Sequence, residues 1–177
     1  MWDAILLLLL SIPGIYSDEF KVTGPDQPVV ARVGGVVVLE CQLVPEKPSG
    51  ELQIRWMRGE DEYNEPVHLY RFGADLPDSQ APAYRGRTSL FPELFPQGNV
   101  SLRMADVQLQ DQGRYVCLVE VGGVIESTPM DLRVASLGPP PVVGLKGLQD
   151  GGVGLSCKSA GWFPKPLVTW VNEIGRA

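Results

Sequence analysis

The stretch Asp111-Gln112-Gly113-Arg114-Tyr115-Val116-Cys117 sets a tyrosine two residues before a cysteine, with Tyr115, Cys117 and Val119 sharing one parity. Period-two patterning marks a β-strand with one face in a core. The same pattern recurs outward from it, in Val37, Leu39 and Cys41, in Ile54 and Trp56, and in Val100, Leu102 and Met104. Turn-forming clusters lie between these runs, at 45–50, 59–66, 73–82, 95–99 and Gly122-Gly123, and no window sustains a 3.6-residue period. Many short strands punctuated in this way predict an all-β sandwich or barrel. Four residues select the sandwich. Cys41 and Cys117 sit on facing sheets and bridge the core, Trp56 covers the disulfide, and Tyr115 fixes the entry to its strand through a corner hydrogen bond. Closing so long a loop stabilises the fold by roughly 4 kcal/mol in the chain-entropy model.

The chain has 177 residues, 44% of them apolar, enough for one full domain and part of another. A net charge of −6 and a pI near 4.8 argue against nucleic acid, whose phosphates need clustered Lys and Arg. The apolar run 4–12, then Pro13-Gly14 and a small residue at Ser17, read as a leader cleaved before Asp18. An uncleaved anchor is the alternative, but so short a run cannot cross a hydrocarbon core about 30 Å thick. Cleavage removes Asp3 and no basic residue, so the mature charge is −6 + 1 = −5. The compartment is then oxidising, and three cysteines leave one sulfur over when two pair.

The distance between Cys41 and Cys117, with extra strand-like material at 67–72, favours the nine-strand variable type of immunoglobulin sandwich over the seven-strand constant type. Arg87 before a short strand and Asp111 before the tyrosine corner are expected to form a salt bridge closing the bottom of the sandwich. The segments GPDQPVVARVGGVVVLEC (24–41), IRWMR (54–58), PVHLYRFG (66–73), YRGRTSLF (84–91), GNVSLRMADVQLQDQGRYVC (98–117) and LRVASLGPPP (132–141) resemble the butyrophilin and myelin-oligodendrocyte-glycoprotein group of the B7-related immunoglobulin superfamily. LSCKSAGWFPKPLVTW (155–170) resembles the start of the membrane-proximal constant-type domain of butyrophilins. The variable-type signature is shared by many families, whereas the GWFPKP turn joined to it by VASLG is much more specific.

The resemblance implies a leader at 1–17, a variable-type domain at 18–135, a linker at 136–141 stiffened by its proline run, and the N-terminal part of a constant-type domain at 142–177. It puts Cys157 on the second strand and Trp170 on the third strand of that second domain, with the partner of Cys157 on a later strand, so Cys157 is expected unpaired. The stretch 138–177 is far short of a sandwich of about 100 residues. The sequence therefore reads as a fragment, a truncated splice product or an incomplete gene model. Leu155, Trp162, Trp170 and a sheet edge are expected to be exposed, with little order past Ser136.

The signatures of catalysis are missing from the sequence. It has a single histidine, His68, no Gly-rich phosphate loop, and no H-E-x-x-H or C-x-x-C, so neither an enzyme, a metal site nor a cofactor is expected. Glu60, Asp61, Glu62 and Glu65 read as a solvated loop, and calcium binding there has no support. Asn99-Val100-Ser101 is a glycosylation sequon, with Asn99 pointing outward by parity. Parity also gives a binding face: Arg55, Met57, Val116, Leu118 and Glu120, with His68 and Tyr70 outward if Val67 and Leu69 fill the core. An idle, slightly apolar surface is the plain alternative.

Two functions compete. The resemblance implies a cell-surface module that regulates T-cell receptor signalling and cytokine production, through a receptor on T cells or a related family member. The other is homophilic adhesion or a membrane-coat role of the myelin-glycoprotein type, or a soluble decoy. The family location is the external side of the plasma membrane, as a single-pass protein, or secretion for a chain of this length alone.

Overall fold

The computed structural model describes residues 20–46, 50–59, 65–149 and 151–171. The leader and its cleavage point lie outside the described residues, as does most of the acidic loop. The described chain is all-β, with a few 3-10 turns: β1 Lys21–Thr23, β2 Val29–Arg32, β3 Val37–Leu39, β4 Gln42–Val44, β5 Leu52–Arg58, β6 His68–Arg71, β7 Ala74–Asp75, β8 Thr88–Ser89, β9 Leu102–Met104, β10 Gly113–Val121, β11 Val124–Ala135, β12 Val142–Gln149 and β13 Gly152–Lys158.

Two sheets face each other. One has the order β2-β11-β10-β5-β6-β7 and the other β3-β9-β8, with β1 and β4 paired beside them. The large sheet is antiparallel except at β2, which runs parallel to β11 with Leu132 opposite Val29. Its centre is β10, which buries Tyr115, Cys117, Val119 and Val121 and turns the residues between them outward. On the second sheet Leu39, Leu102 and Met104 are fully buried. Cys41 and Cys117 are bridged across this core, closing a loop of 76 residues with Cα atoms 6.6 Å apart. Trp56 lies directly across the ladder from Cys117 and is 0% exposed. Its Nε1 donates to Val100 O at 3.2 Å, which satisfies the one polar atom that burial would otherwise strand.

The tyrosine corner is formed. Tyr115 Oη donates to Asp111 O at 2.7 Å and lies 3.2 Å from Tyr84 Oη. Burial, then the hydrogen bond with Tyr84, holds the Tyr115 phenol well above its ordinary range.

Beyond Ala135 the chain keeps regular structure, contrary to the expectation of little order past Ser136. β12 pairs antiparallel with β13, with a register shift between Leu145 and Gly147. Ser136 and Phe163 exchange both backbone hydrogen bonds at 2.9 Å, and Ser136 Oγ donates to Gly161 O at 2.8 Å. This clasp gives backbone groups of the linker and the 161–164 turn the partners that buried or half-buried amides require. Cys157 lies on β13, half-buried and free. Trp170 corrects the sequence reading: it lies outside any strand and is 51% exposed, and among the described residues no strand pairs with its backbone. Leu155 is likewise exposed, and Trp162 is half-buried.

Candidate recognition face

The outer surface of the large sheet is fixed by register, because residues opposite each other on adjacent strands share a face. Trp56 opposite Cys117 sets the inward positions. The outward ones follow: Val116 opposite Met57 and Pro129, Leu118 opposite Arg55 and Ser127, Glu120 opposite Gln53 and Ile125. Arg55, Val116, Leu118 and Glu120 are half-buried on that face, as the sequence predicts. Met57 is on the same side but only 5% exposed. It belongs to a central strand, where side chains from both neighbouring strands stand about 5 Å away and close over a chain of its length. It contributes to the floor of the face and not to its contact surface.

The sequence reading of β6 is overturned. Val67 N–H donates to Trp56 O at 2.8 Å, and the strand then enters the sheet with His68 opposite Trp56, Leu69 opposite Arg55 and Tyr70 opposite Ile54. His68 and Tyr70 therefore point inward and Leu69 points outward. Val67 and His68 are both buried, two in succession, which period-two parity cannot anticipate. Burial of His68 is compensated at both ring nitrogens: Nδ1 is 3.0 Å from Thr88 Oγ1, and Nε2 is 2.9 Å from Asp75 Oδ1. Gln80 completes the cluster by donating Nε2 to Val67 O at 2.7 Å and to Tyr84 O at 3.1 Å. Tyr70 packs edge-on against Phe95, ring centroids 5.0 Å apart.

The face thus consists of half-buried Leu69, Val116 and Leu118 with exposed Pro129 and Ile125, the last 57% exposed. Charges of both signs surround it. Arg55 and Glu120 lie within it, and Arg114 Nε approaches Asp131 Oδ1 at 3.7 Å on its edge. Both members of that pair are about half exposed, so it contributes at most about 1 kcal/mol. Leu69, Ile125 and Pro129 were missed by the sequence reading. The pairing register that reveals them is a long-range property.

The base of the sandwich is held differently. Arg87 donates Nη1 to Asp111 Oδ2 at 2.8 Å and Nη2 to Asp111 Oδ1 at 2.9 Å. The two side chains are 12% and 2% exposed. Asp111 Oδ2 also accepts the Gln108 N–H at 2.8 Å, and Arg87 donates to Ala83 O and Asp106 O at 2.9 Å. The hydrogen bond to Asp111 holds the guanidinium above its ordinary pKa. Among the described residues no group of three His, Cys, Asp or Glu side chains could hold a metal ion. No helix among them is long and apolar enough to cross a membrane.

A disulfide-bridged sandwich with a tyrosine corner and a basal Arg–Asp bridge defines a variable-type immunoglobulin domain, here joined to the first strands of another. A family model for the immunoglobulin V-set domain matches residues 24–135, and one described as butyrophilin subfamily 3 member A2-like, Ig-C domain, matches residues 137–177. Mouse butyrophilin-like protein 2 is 36% identical over 172 residues, covering 97% of this chain and 37% of that protein. Human butyrophilin subfamily 1 member A1 is 35% identical over 171 residues, covering 97% and 32%. The crystal structure of bovine butyrophilin superposes with a TM-score of 0.80 at 33% identity, covering 89% of this chain and 74% of that one. The human B7-H4 IgV-like domain gives 0.57 at 26% identity, covering 65% and 96%. The chain belongs to the butyrophilin family of the immunoglobulin superfamily. It spans about a third of the length of the curated relatives it matches.

Proposed function

We propose that this chain is the receptor-contacting part of a cell-surface recognition protein of butyrophilin type, regulating T-cell signalling and cytokine production from the external side of the plasma membrane. The observation that carries the reading is the outer sheet face, where Leu69, Val116, Leu118 and Ile125 stand together between Arg55 and Glu120. A small apolar centre ringed by charges is the anatomy of a transient protein contact. Family membership supports the kind of partner, a protein on an apposed T cell. The Cys41–Cys117 bridge supports the compartment, since such bonds persist in oxidising surroundings.

The test uses the full chain as a labelled probe on T cells, with Leu118→Glu and Leu69→Glu as face variants and Arg103→Glu on β9 as the control from the other sheet. A central contact is worth about 2 kcal/mol or more, so each face variant is expected to weaken binding by about 30-fold. Melting temperatures should stay close to that of the parent, because both side chains are already partly in solvent. If the control abolishes binding and the face variants do not, the reading of this face is wrong. If the face variants instead abolish self-association in sedimentation, the adhesive reading replaces the receptor reading.

A further inference from the structure

At the Gly122-Gly123 end of the outer sheet face, beyond Leu118 and Leu69, lies a small recess. It is lined by Glu51, Gln53, Arg71, Glu120, Gly122 and Gly123. Register explains why these residues meet. Gln53 on β5 is opposite Glu120 on β10, Arg71 ends β6 on the same side as Leu69, and Glu51 stands just before β5. The β10–β11 turn has positive φ at both glycines, 58° and 86°, and puts no side chain over the mouth. At about 280 Å³ the recess is smaller than the roughly 300–1,000 Å³ of sites that enclose a whole small ligand, so it suits a single side chain.

Its polar groups are unpaired. Among the described residues no ion pair engages Glu51 or Glu120. Arg71, the cation in the lining, is turned to Phe72 instead, with its guanidinium carbon 4.5 Å from the ring centroid. Gln53 is 6% exposed, yet its side-chain amide makes no hydrogen bond among the described residues. No fully buried side-chain nitrogen or oxygen among them lacks a partner, so this amide keeps its slight exposure through the recess it lines. An amide held so deep without a partner is unfavourable, and a ligand that pairs with it removes the penalty. Two carboxylates against one guanidinium leave a negative excess. The carboxylate oxygens and the Gln53 amide oxygen are acceptors, so the matching group is a cation that only donates. A guanidinium donates from a planar fork and is weakly hydrated, which favours it over an ammonium in a half-closed site. We infer that the recess receives an arginine side chain of the partner protein, its guanidinium paired with Glu51 and Glu120 and donating to Gln53 Oε1. The inference rests on the reading of this face as the contact surface and adds a charged anchor beside its apolar centre.

The test titrates isotope-labelled full chain with N-acetyl-arginine methylamide, followed by NMR, with the citrulline analogue as the neutral isostere. Saturable shifts are expected at the Gln53 side-chain amide and at the Gly122 and Gly123 backbone amides, with the arginine compound alone. Glu51→Gln and Glu120→Gln should each weaken that binding by about tenfold, the loss expected for one charged hydrogen bond. Glu93→Gln, at an exposed carboxylate outside the recess, should leave it unchanged. Equal shifts with the citrulline compound, shifts that survive the paired Glu51→Gln, Glu120→Gln variant, or no saturable shift would each overturn the arginine site. The same variants are then compared in binding of the full chain to T cells, where Leu118→Glu and the paired variant should both lose binding. Loss with Leu118→Glu but not with the paired variant removes the recess from the interface and leaves the contact surface standing. Binding indifferent to Leu118→Glu overturns the contact surface itself, whatever the titration shows.

Discussion

Arg87 and Asp111 show how much a single pair holds. The bidentate bridge is nearly solvent-free, and Asp111 also caps the turn that leads into β10. Removing one partner leaves a buried charge unpaired, at a cost of about 3–5 kcal/mol. Arg87→Ala and Asp111→Ala are each expected to lower stability by that amount in chemical denaturation, and the double variant by clearly less than the sum. An additive result would mean that the two side chains act independently. Tyr115 makes a prediction in pH. Its folded pKa is raised above the ordinary value of 10.0, chiefly by burial. The neutral form is thus preferred in the folded state, and the stability it contributes is complete below pH 10 and is lost as pH rises above it. Tyr115→Phe should lower stability near neutrality by about 1 kcal/mol, for the lost corner bond, yet flatten the decline in the alkaline range. A variant that declines as steeply as the parent would assign the alkaline transition to other groups.

At the scale of the elements, β10 and β5 are legible in the sequence, because each alternates cleanly and carries a landmark, Tyr115 with Cys117 or Trp56. β6 is not, because it is short and its entry buries Val67 and His68 in succession. Its register is set by the hydrogen bond from Val67 N–H to Trp56 O, a contact with no local signature. That one-residue difference puts Leu69 on the outer face of the large sheet and takes His68 and Tyr70 off it. The clasp between the linker and the 161–164 turn is a second device of this kind. A Cβ on Gly138 would run into the Ala160 carbonyl and the Trp162 indole. Gly138→Ala is expected to open the clasp, seen as faster hydrogen exchange at the Ser136 and Phe163 amides, while the Cys41–Cys117 domain keeps its melting temperature. Unchanged exchange would show that the turn can shift to make room.

Across the whole molecule, the disulfide and the hydrophobic core act together. The bridge closes a loop of 76 residues, and removing such a native bond from a small domain costs about 2–5 kcal/mol. Non-reducing peptide mapping is expected to find Cys41 joined to Cys117 and Cys157 as a free thiol. A bridge from Cys157 to either of the others would overturn the division of the chain into two immunoglobulin units. Paired substitution of Cys41 and Cys117 by alanine should lower the melting temperature by roughly 10 °C or more, since each kcal/mol is worth about 4–8 °C in a domain near this size.

The sequence by itself determined the class of fold, the sulfur pairing, the tyrosine corner and the basal Arg–Asp bridge. Each depends on residue types at spacings that a sandwich imposes on its own strands, so the local pattern carries the information. Which side chains stand on the outer face of the large sheet was decided only by the tertiary structure. Facing is set by the register of one strand against the next, and in β6 that register came from a backbone hydrogen bond to β5, across an intervening loop. The position of Ser101 was hidden for the same reason. Its motif is read along the chain, but its burial against Cys41 exists only once two distant segments have been brought together.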